Sequence, residues 1–195
     1  MFIAIEGNAG TGKTTLANAL SAALGMRQVL EPGEDELRLL YSDIARSPLR
    51  VQIHCLAHRL KSQRVINVSR SCGTGVVSDF LLVKDRVYGE IWLPPNDLSA
   101  YLKMFDAVSD MAETPDLLVY LEAPIDFLVQ RLRKRNRSFE TFVDYTFLSR
   151  LGALISEHVP ALKVRNTVVL NSTEFDIVAK PSELAEIIKT LRLHL

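Results

Sequence analysis

The chain has 195 residues, which suits one domain that buries roughly 70% of its unfolded surface. Basic and acidic residues balance at 23 each, so no global field for nucleic acid is indicated, and no apolar run of about 18 residues is present to span a membrane. Two cysteines, Cys55 and Cys72, make neither a disulfide framework nor a metal cluster, and structural thiols in a cytoplasmic protein are the expectation.

Phe2-Ile3-Ala4-Ile5 reads as a buried strand from the outset, so no leader sequence is expected. It runs into Gly7-Asn8-Ala9-Gly10-Thr11-Gly12-Lys13-Thr14, the phosphate-loop pattern of two glycines bracketing four residues before Lys and Ser/Thr. The glycines keep side chains away from a phosphate, and the loop's N–H groups converge on it at the positive end of the next helix. Lys13 suits the terminal phosphates of a nucleoside triphosphate, and the Thr14 hydroxyl suits a magnesium ion. An ordinary glycine turn would not require Lys then Thr after the last glycine.

A first helix is predicted from Thr14 to Leu24, burying Leu16, Ala19, Leu20 and Ala23, with Gly25 as its stop. A short strand, Gln28 to Leu30, ends at Glu31-Pro32-Gly33. Ligands of open parallel sheets gather at the carboxyl ends of strands, which puts Glu31 where chemistry happens. The competing reading makes Glu31 the start of a solvated acidic turn with Glu34-Asp35-Glu36.

Pro48 opens a long helix predicted from Leu49 to Ser69, with Val51, Cys55, Leu56, Leu60 and Ile66 apolar at helical spacing. Gln52 and Arg59 lie two turns apart on one side of it, an amide and a guanidinium suited to a base edge. His54 and His58 are one turn apart but lack a third ligand, so no metal is assigned to them. The third strand, Gly75 to Ser78, ends at Asp79, the place for a magnesium-orienting carboxylate.

Lys84-Asp85-Arg86 opens a segment reaching Leu93, and Pro94-Pro95 breaks it. Asn96 or Asp97 is expected to cap a helix carrying the stripe Leu98, Tyr101, Leu102, Phe105, Val108 and Met111, which suits the core or a partner subunit. Leu117 to Leu121 is an apolar strand covered on both faces. Pro124 sits in the first turn of the following helix, which leads into Arg131-Leu132-Arg133-Lys134-Arg135-Asn136-Arg137-Ser138-Phe139-Glu140. Three readings compete for this basic segment: a nucleic-acid patch, a helix end complementing its dipole, and a cationic lid over a triphosphate. The phosphate loop favours the lid. A helix to about His158, a fifth strand from Thr167 to Leu170 and a closing helix from Pro181 complete the chain. The architecture expected is a three-layer α/β/α domain around a five-stranded parallel sheet, with one domain spanning residues 1–195 and its lid at about 131–140.

Taken together, these motifs resemble the deoxyribonucleoside kinase family of the phosphate-loop kinases, especially its bacterial purine-directed members. The resemblance covers nearly the whole chain: Ile5-Glu6-Gly7 through Thr15, Glu31-Pro32, Tyr41 eleven residues before Gln52, Gln52 seven before Arg59, Val77-Ser78-Asp79, Asp85-Arg86, and Arg131 through Glu140. It implies that ATP is the phosphate donor, with Mg2+, and that the acceptor is the 5′-hydroxyl of a deoxyribonucleoside. Glu31 would take the hydroxyl proton, and Gln52, Arg59 and Asp85 would hold the base, Arg59 paired with Asp85. Arg86 belongs to the same motif and is counted with the substrate contacts. Tyr41 and Glu140 would hold the 3′-hydroxyl. Arg131, Arg135 and Arg137 would form the lid, and Asp79 would support magnesium. A homodimer is implied as well.

Three positions depart from the family pattern. Phe80 stands where many members have Arg, with Arg86 or a lid arginine as the expected compensation. The usual aromatic residue after Glu-Pro is missing from Gly33-Glu34-Asp35-Glu36, which leaves one pocket wall undefined. The lid glycine is Asn136, a residue that tolerates left-handed angles. The rival readings are a thymidylate kinase-like nucleoside monophosphate kinase, a nucleotide-dependent switch, which lacks its Asn-Lys-x-Asp here, and a nucleic-acid-binding ATPase. The preferred base stays open at this stage.

Overall fold

The computed structural model describes residues 1–138, 140 and 143–194. Phe139, part of the expected lid, lies outside the described residues. Five parallel strands form one sheet in the order β2-β3-β1-β4-β5: β1 is Phe2–Gly7, β2 Arg27–Val29, β3 Val76–Ser78, β4 Leu117–Glu122 and β5 Thr167–Asn171.

Alternation along β1 explains the layers. Phe2 and Ala4 point to one face, where they pack with Val76, Phe80 and Leu118 against Ile66, Val87, Leu151 and Ile155. These last four come from α3 (Pro48–Ser71), α4 (Lys84–Trp92) and α7 (Tyr145–Ala161). Ile3 and Ile5 point the other way, onto Leu16, Ala17 and Leu20 of α1 (Lys13–Leu24) and Ile187 and Leu191 of α8 (Ser182–Arg192). A strand buried on both faces has no polar alternation, which is why β1 and β4 read as continuous apolar runs. Outside these layers, α5 (Pro95–Ser109) packs Tyr101 and Phe105 against Leu56 of α3, and α6 (Ile125–Arg135) packs Leu128 and Leu132 on Leu148 of α7. The remaining helix, α2 (Glu34–Asp43), buries none of its residues and follows the end of β2.

Several boundaries differ from expectation, each for a local reason. In α1 the buried set is Leu16, Ala17, Leu20 and Ser21, whereas Ala19 is half-buried and Ala23 exposed. Helix rotation is set by where the chain leaves the loop, and Gly12 releases it in a left-handed conformation, φ 92°. The cap of α5 is Pro94, not Asn96 or Asp97; Pro95 takes the first helical position, where its missing N–H costs nothing. Pro124 and Pro181 are likewise the caps of α6 and α8, one residue before the first turn. Met111 lies past the end of α5 and is exposed. Asn136 closes α6 at φ 51°, its backbone N–H donating to the Leu132 carbonyl, so asparagine does take the left-handed conformation expected of it.

The chain leaves β1 toward β2 on one side and later crosses from β3 to β4 on the other. That reversal opens a crevice at the carboxyl ends of the strands, directly above the loop between β1 and α1.

Candidate active site

The crevice is a cavity of about 620 Å³, within the range of small-ligand sites. One end is the phosphate loop, with Ala9, Gly10, Thr11, Gly12, Lys13, Thr14 and Thr15 in its wall. Gly7 and Asn8 lie behind that wall. Their carbonyl oxygens accept the Lys13 ammonium, each at 2.9 Å, while the Asn8 amide donates to the Leu148 carbonyl of α7 at 2.8 Å. Glycine is required at position 7 by contact as well as by angle. With φ 149°, an added Cβ would collide with the Leu121 carbonyl oxygen of the neighbouring strand. Burial and the nearby Lys84 cation lower the Lys13 pKa to about 8.

Asp79 links this loop to the opposite wall. Its Oδ2 accepts the Thr14 hydroxyl at 2.6 Å, and its Oδ1 accepts the Glu31 backbone N–H at 2.9 Å. Glu31 therefore hangs from the end of β2 into the cavity. Arg59 Nη2 donates to its Oε1 at 2.5 Å and Lys84 Nζ to its Oε2 at 2.7 Å. Arg59 Nη1 donates in turn to Asp85 Oδ1 at 2.6 Å.

Two cations and two carboxylates thus form a chain in which Glu31, with its side chain 22% exposed, is the most open to the cavity, Arg59 and Lys84 show it a smaller surface, and Asp85 stays behind the wall. Burial by itself would raise the Glu31 pKa, but Lys84, Arg59 and Lys13 outweigh it and hold the carboxyl well below the usual range. Asp85 goes the other way. Its burial outweighs Arg59 and pushes its pKa up to about 6. Removing one partner of such a buried pair costs about 3–5 kcal/mol, because the other charge is stranded.

Gln52, Cys55 and Val51 of α3 and Tyr88 of α4 line the far end, with Leu30, Leu37 and Tyr41 beside them. Leu37 thereby supplies wall in the region where the family aromatic residue is missing. Gln52 Oε1 and Arg59 Nε are buried there without a hydrogen-bond partner. An unpaired buried acceptor is costly, so these atoms are suited to a polar ligand. Asp85 is fully buried and behind the wall, and its Oδ2 is also unpaired. The neighbouring Tyr101 hydroxyl lacks an aligned partner too. Asp85 thus touches Arg59 rather than the cavity.

Over the loop, Arg131 donates weakly to the Gly10 and Thr11 carbonyls at 3.4 Å each and stacks on Phe127. Arg135 pairs with Glu140 at 2.5 Å, and Arg137 bridges Glu140 at 3.6 Å and Glu34 of α2 at 3.1 Å. Arg131, Arg135, Arg137 and Glu140 all line the cavity.

Arg86 does not: it turns to Glu90 and Asp106, away from Glu31. The expected compensation for Phe80 by Arg86 is therefore corrected, and the nearby cation that does face the cavity is Lys84, which reaches Glu31. Phe80 itself is fully buried, with the Arg59 guanidinium 5.8 Å over its ring. The structural role expected for both cysteines is also revised. Cys55 faces the cavity, its thiol pushed up to about 11 by burial, and Cys72 is exposed.

Sequence reasoning passed over Lys84 as a wall residue, and also Asn18 and the run Phe175 to Val178. The latter follows β5, and the rule that placed Glu31 at a strand's carboxyl end applies equally there. Among the described residues no group of three or more His, Cys, Asp or Glu is arranged to hold a metal. Thr14 and Asp79 nevertheless offer a hydroxyl and a carboxylate 2.6 Å apart, hard oxygen donors that fit magnesium beside a phosphate.

A parallel sheet with a phosphate loop at its switch point, facing a buried carboxylate across one cavity, defines the phosphate-loop kinase class. A deoxynucleoside kinase family model matches residues 3–195, and the chain belongs to that family. It is 32% identical over 165 residues to the deoxyguanosine kinase of Bacillus subtilis (strain 168), covering 83% of this chain and 78% of that one. It is 30% identical over 201 residues to the deoxyadenosine kinase of Dictyostelium discoideum, covering 96% and 77%. The fold is shared with a deoxyadenosine kinase from M. mycoides with bound dATP, at a TM-score of 0.80 and 22% identity, over 98% of this chain and 100% of that one.

Proposed function

We propose that this protein transfers the terminal phosphoryl group of ATP to the 5′-hydroxyl of a deoxyribonucleoside, with a purine as the preferred base. The observation that carries this is the placement of Glu31 and Lys13 in one cavity wall, with Asp79 tying their two elements together. The base preference rests on the relatives, a deoxyguanosine kinase and a deoxyadenosine kinase.

Phosphoryl transfer passes through a loose transition state, so alignment and charge compensation supply most of the acceleration. Lys13 and the loop N–H groups hold the donor's terminal phosphates, and Arg131, Arg135 and Arg137 close over them as a lid. Thr14 and Asp79 would hold a magnesium ion, which would supply charge neutralisation at the phosphates. Gln52 and Arg59 take the base at the far end, and Tyr41 and Glu140 take the sugar's 3′-hydroxyl between the two.

The acceptor hydroxyl donates to Glu31. A carboxylate with so low a pKa is a weak base, and it takes the proton late, once the forming O–P bond has made that proton acidic. The hydroxyl oxygen gains the bond to phosphorus, the donor's bridging oxygen leaves with the electron pair of the broken bond, and the proton ends on Glu31. A monophosphate acceptor fits less well, because Arg59 and Lys84 are already matched by Glu31 and Asp85.

Cytoplasmic location and a homodimer belong to the same proposal. Among the described residues no helix is long and apolar enough to cross a membrane, and α3 and α5 leave Ile53, Val68 and Met104 exposed. The test is ADP release from ATP and magnesium across deoxynucleosides, ribonucleosides and monophosphates. Turnover with deoxypurine nucleosides is expected. Turnover with monophosphates alone would overturn the reading.

A further inference from the structure

Charge counting around Glu31 singles out a residue that no motif assigned. Two carboxylates, Glu31 and Asp85, share the single guanidinium of Arg59. One positive charge cannot balance two buried negative ones, and a second cation is needed if both are to stay ionised. The residue directly after Asp79, Phe80, is apolar and sealed in the core. The second cation comes instead from the first turn of α4, where Lys84, 5% exposed, places Nζ 2.7 Å from Glu31 Oε2.

We propose that Lys84 is a positioning residue for phosphoryl transfer, its ammonium holding the Glu31 carboxylate in the orientation that receives the acceptor hydroxyl. The assignment rests on the kinase reading of this site. Arg59 occupies Oε1 and Lys84 occupies Oε2, so the carboxylate plane is set from both sides. Each oxygen keeps lone-pair capacity for the substrate. Lysine also has a compact charge on a flexible stem, which can stay on Oε2 while the carboxyl accepts a proton.

Other ionisable groups face Glu31 from every packed element. Lys13 of α1, Cys55 of α3 and Tyr41 of α2 act on it or are acted on by it, as do Asp85 and Tyr88 of α4. Asp79 binds its backbone N–H, and the Glu6 carboxylate of β1 acts on Lys84. None of the cations among them replaces Lys84 at Oε2. Burial disfavours the charged form of Lys84, yet Glu31 and Glu6 raise its pKa above the ordinary lysine value, so the pair stays ionised at neutral pH.

The test compares the wild type with Lys84→Met and Lys84→Arg, reading kcat and the KM values for nucleoside and ATP separately at neutral pH. Lys84→Met is expected to lower kcat at least tenfold while the KM for ATP stays unchanged. Lys84→Arg is expected to restore kcat.

A second arm removes any dependence on folding of the unbalanced variant. In a Glu31→Gln background the extra Lys84→Met change leaves Arg59 matched with Asp85, and it should lower kcat no further. An unchanged kcat in Lys84→Met, or a full multiplicative loss in the double variant, overturns the Lys84 assignment while leaving the kinase reading intact. A wild-type protein that phosphorylates no nucleoside defeats both.

Discussion

The Thr14 hydroxyl donates to Asp79 Oδ2 at 2.6 Å, joining the first turn of the phosphate-loop helix to the end of the third strand. The other Asp79 oxygen holds the backbone of Glu31, so one side chain sets the spacing between the donor end and the acceptor end of the cavity.

Asp79→Asn should therefore weaken two things together. The amide keeps one acceptor but presents a donor to either the Thr14 hydroxyl or the Glu31 N–H, and it removes the charge that, on the proposed function, would hold magnesium. The expected outcome is a fall in kcat/KM of about a hundredfold, partly recovered by raised magnesium. Steady-state rates over a magnesium titration check it.

Glu31→Gln should leave ATP binding intact, since Glu31 stands on the acceptor side of Lys13. Turnover should fall by about a hundredfold or more, the usual scale for a lost acid–base group. Calorimetric titration with a nonhydrolysable triphosphate separates binding from turnover. Near wild-type turnover would remove Glu31 from the mechanism.

Lys13 gives a pH dependence whose sign is fixed by its lowered pKa. Below about 8 its ammonium is charged in the folded protein, and above that it is progressively lost, whereas the unfolded chain keeps it charged to 10.5. Without nucleotide, unfolding takes up a proton in that window, so this group makes stability rise between about pH 8 and 10.5. Triphosphate affinity should fall over the same rise. Lys13→Ala should abolish both trends, as denaturant titrations and nucleotide binding at stepped pH would show.

Gly7→Ala should destabilise the fold, because its Cβ would meet backbone rather than a movable side chain. A loss of about 3 kcal/mol corresponds to a fall of roughly 10 °C in Tm for a domain of this size. Thermal unfolding measures it, and an unchanged Tm would mean that β1 and β4 separate more easily than their pairing suggests.

Much of the site was legible where a residue's role depends on its own neighbours in the chain. The phosphate loop is contiguous, and Glu31 and Asp79 each end a strand, so local pattern located them. Gln52 and Arg59 share a helix and could be matched by periodicity. Lys84 could not, because nothing in Lys84-Asp85-Arg86 tells which of the two cations turns inward. Arg86, counted with the substrate contacts through its motif, faces Glu90 instead. Asp85 was placed beside Arg59 correctly, but its distance from the cavity wall depends on how α4 seats against α3 and α5.

Sequence alone determined the five strands and most of the helices between them, though not α2 or α4, together with the phosphate loop and the carboxylates at the strand ends, because hydrophobic period and backbone chemistry act over a few residues. Only the tertiary structure decided which cation reaches Glu31, that Asp85 touches Arg59 rather than the cavity, and that Phe175 to Val178 join the cavity lining. Those outcomes rest on the rotation and seating of helices against the sheet, which packing across distant segments fixes and no local window contains.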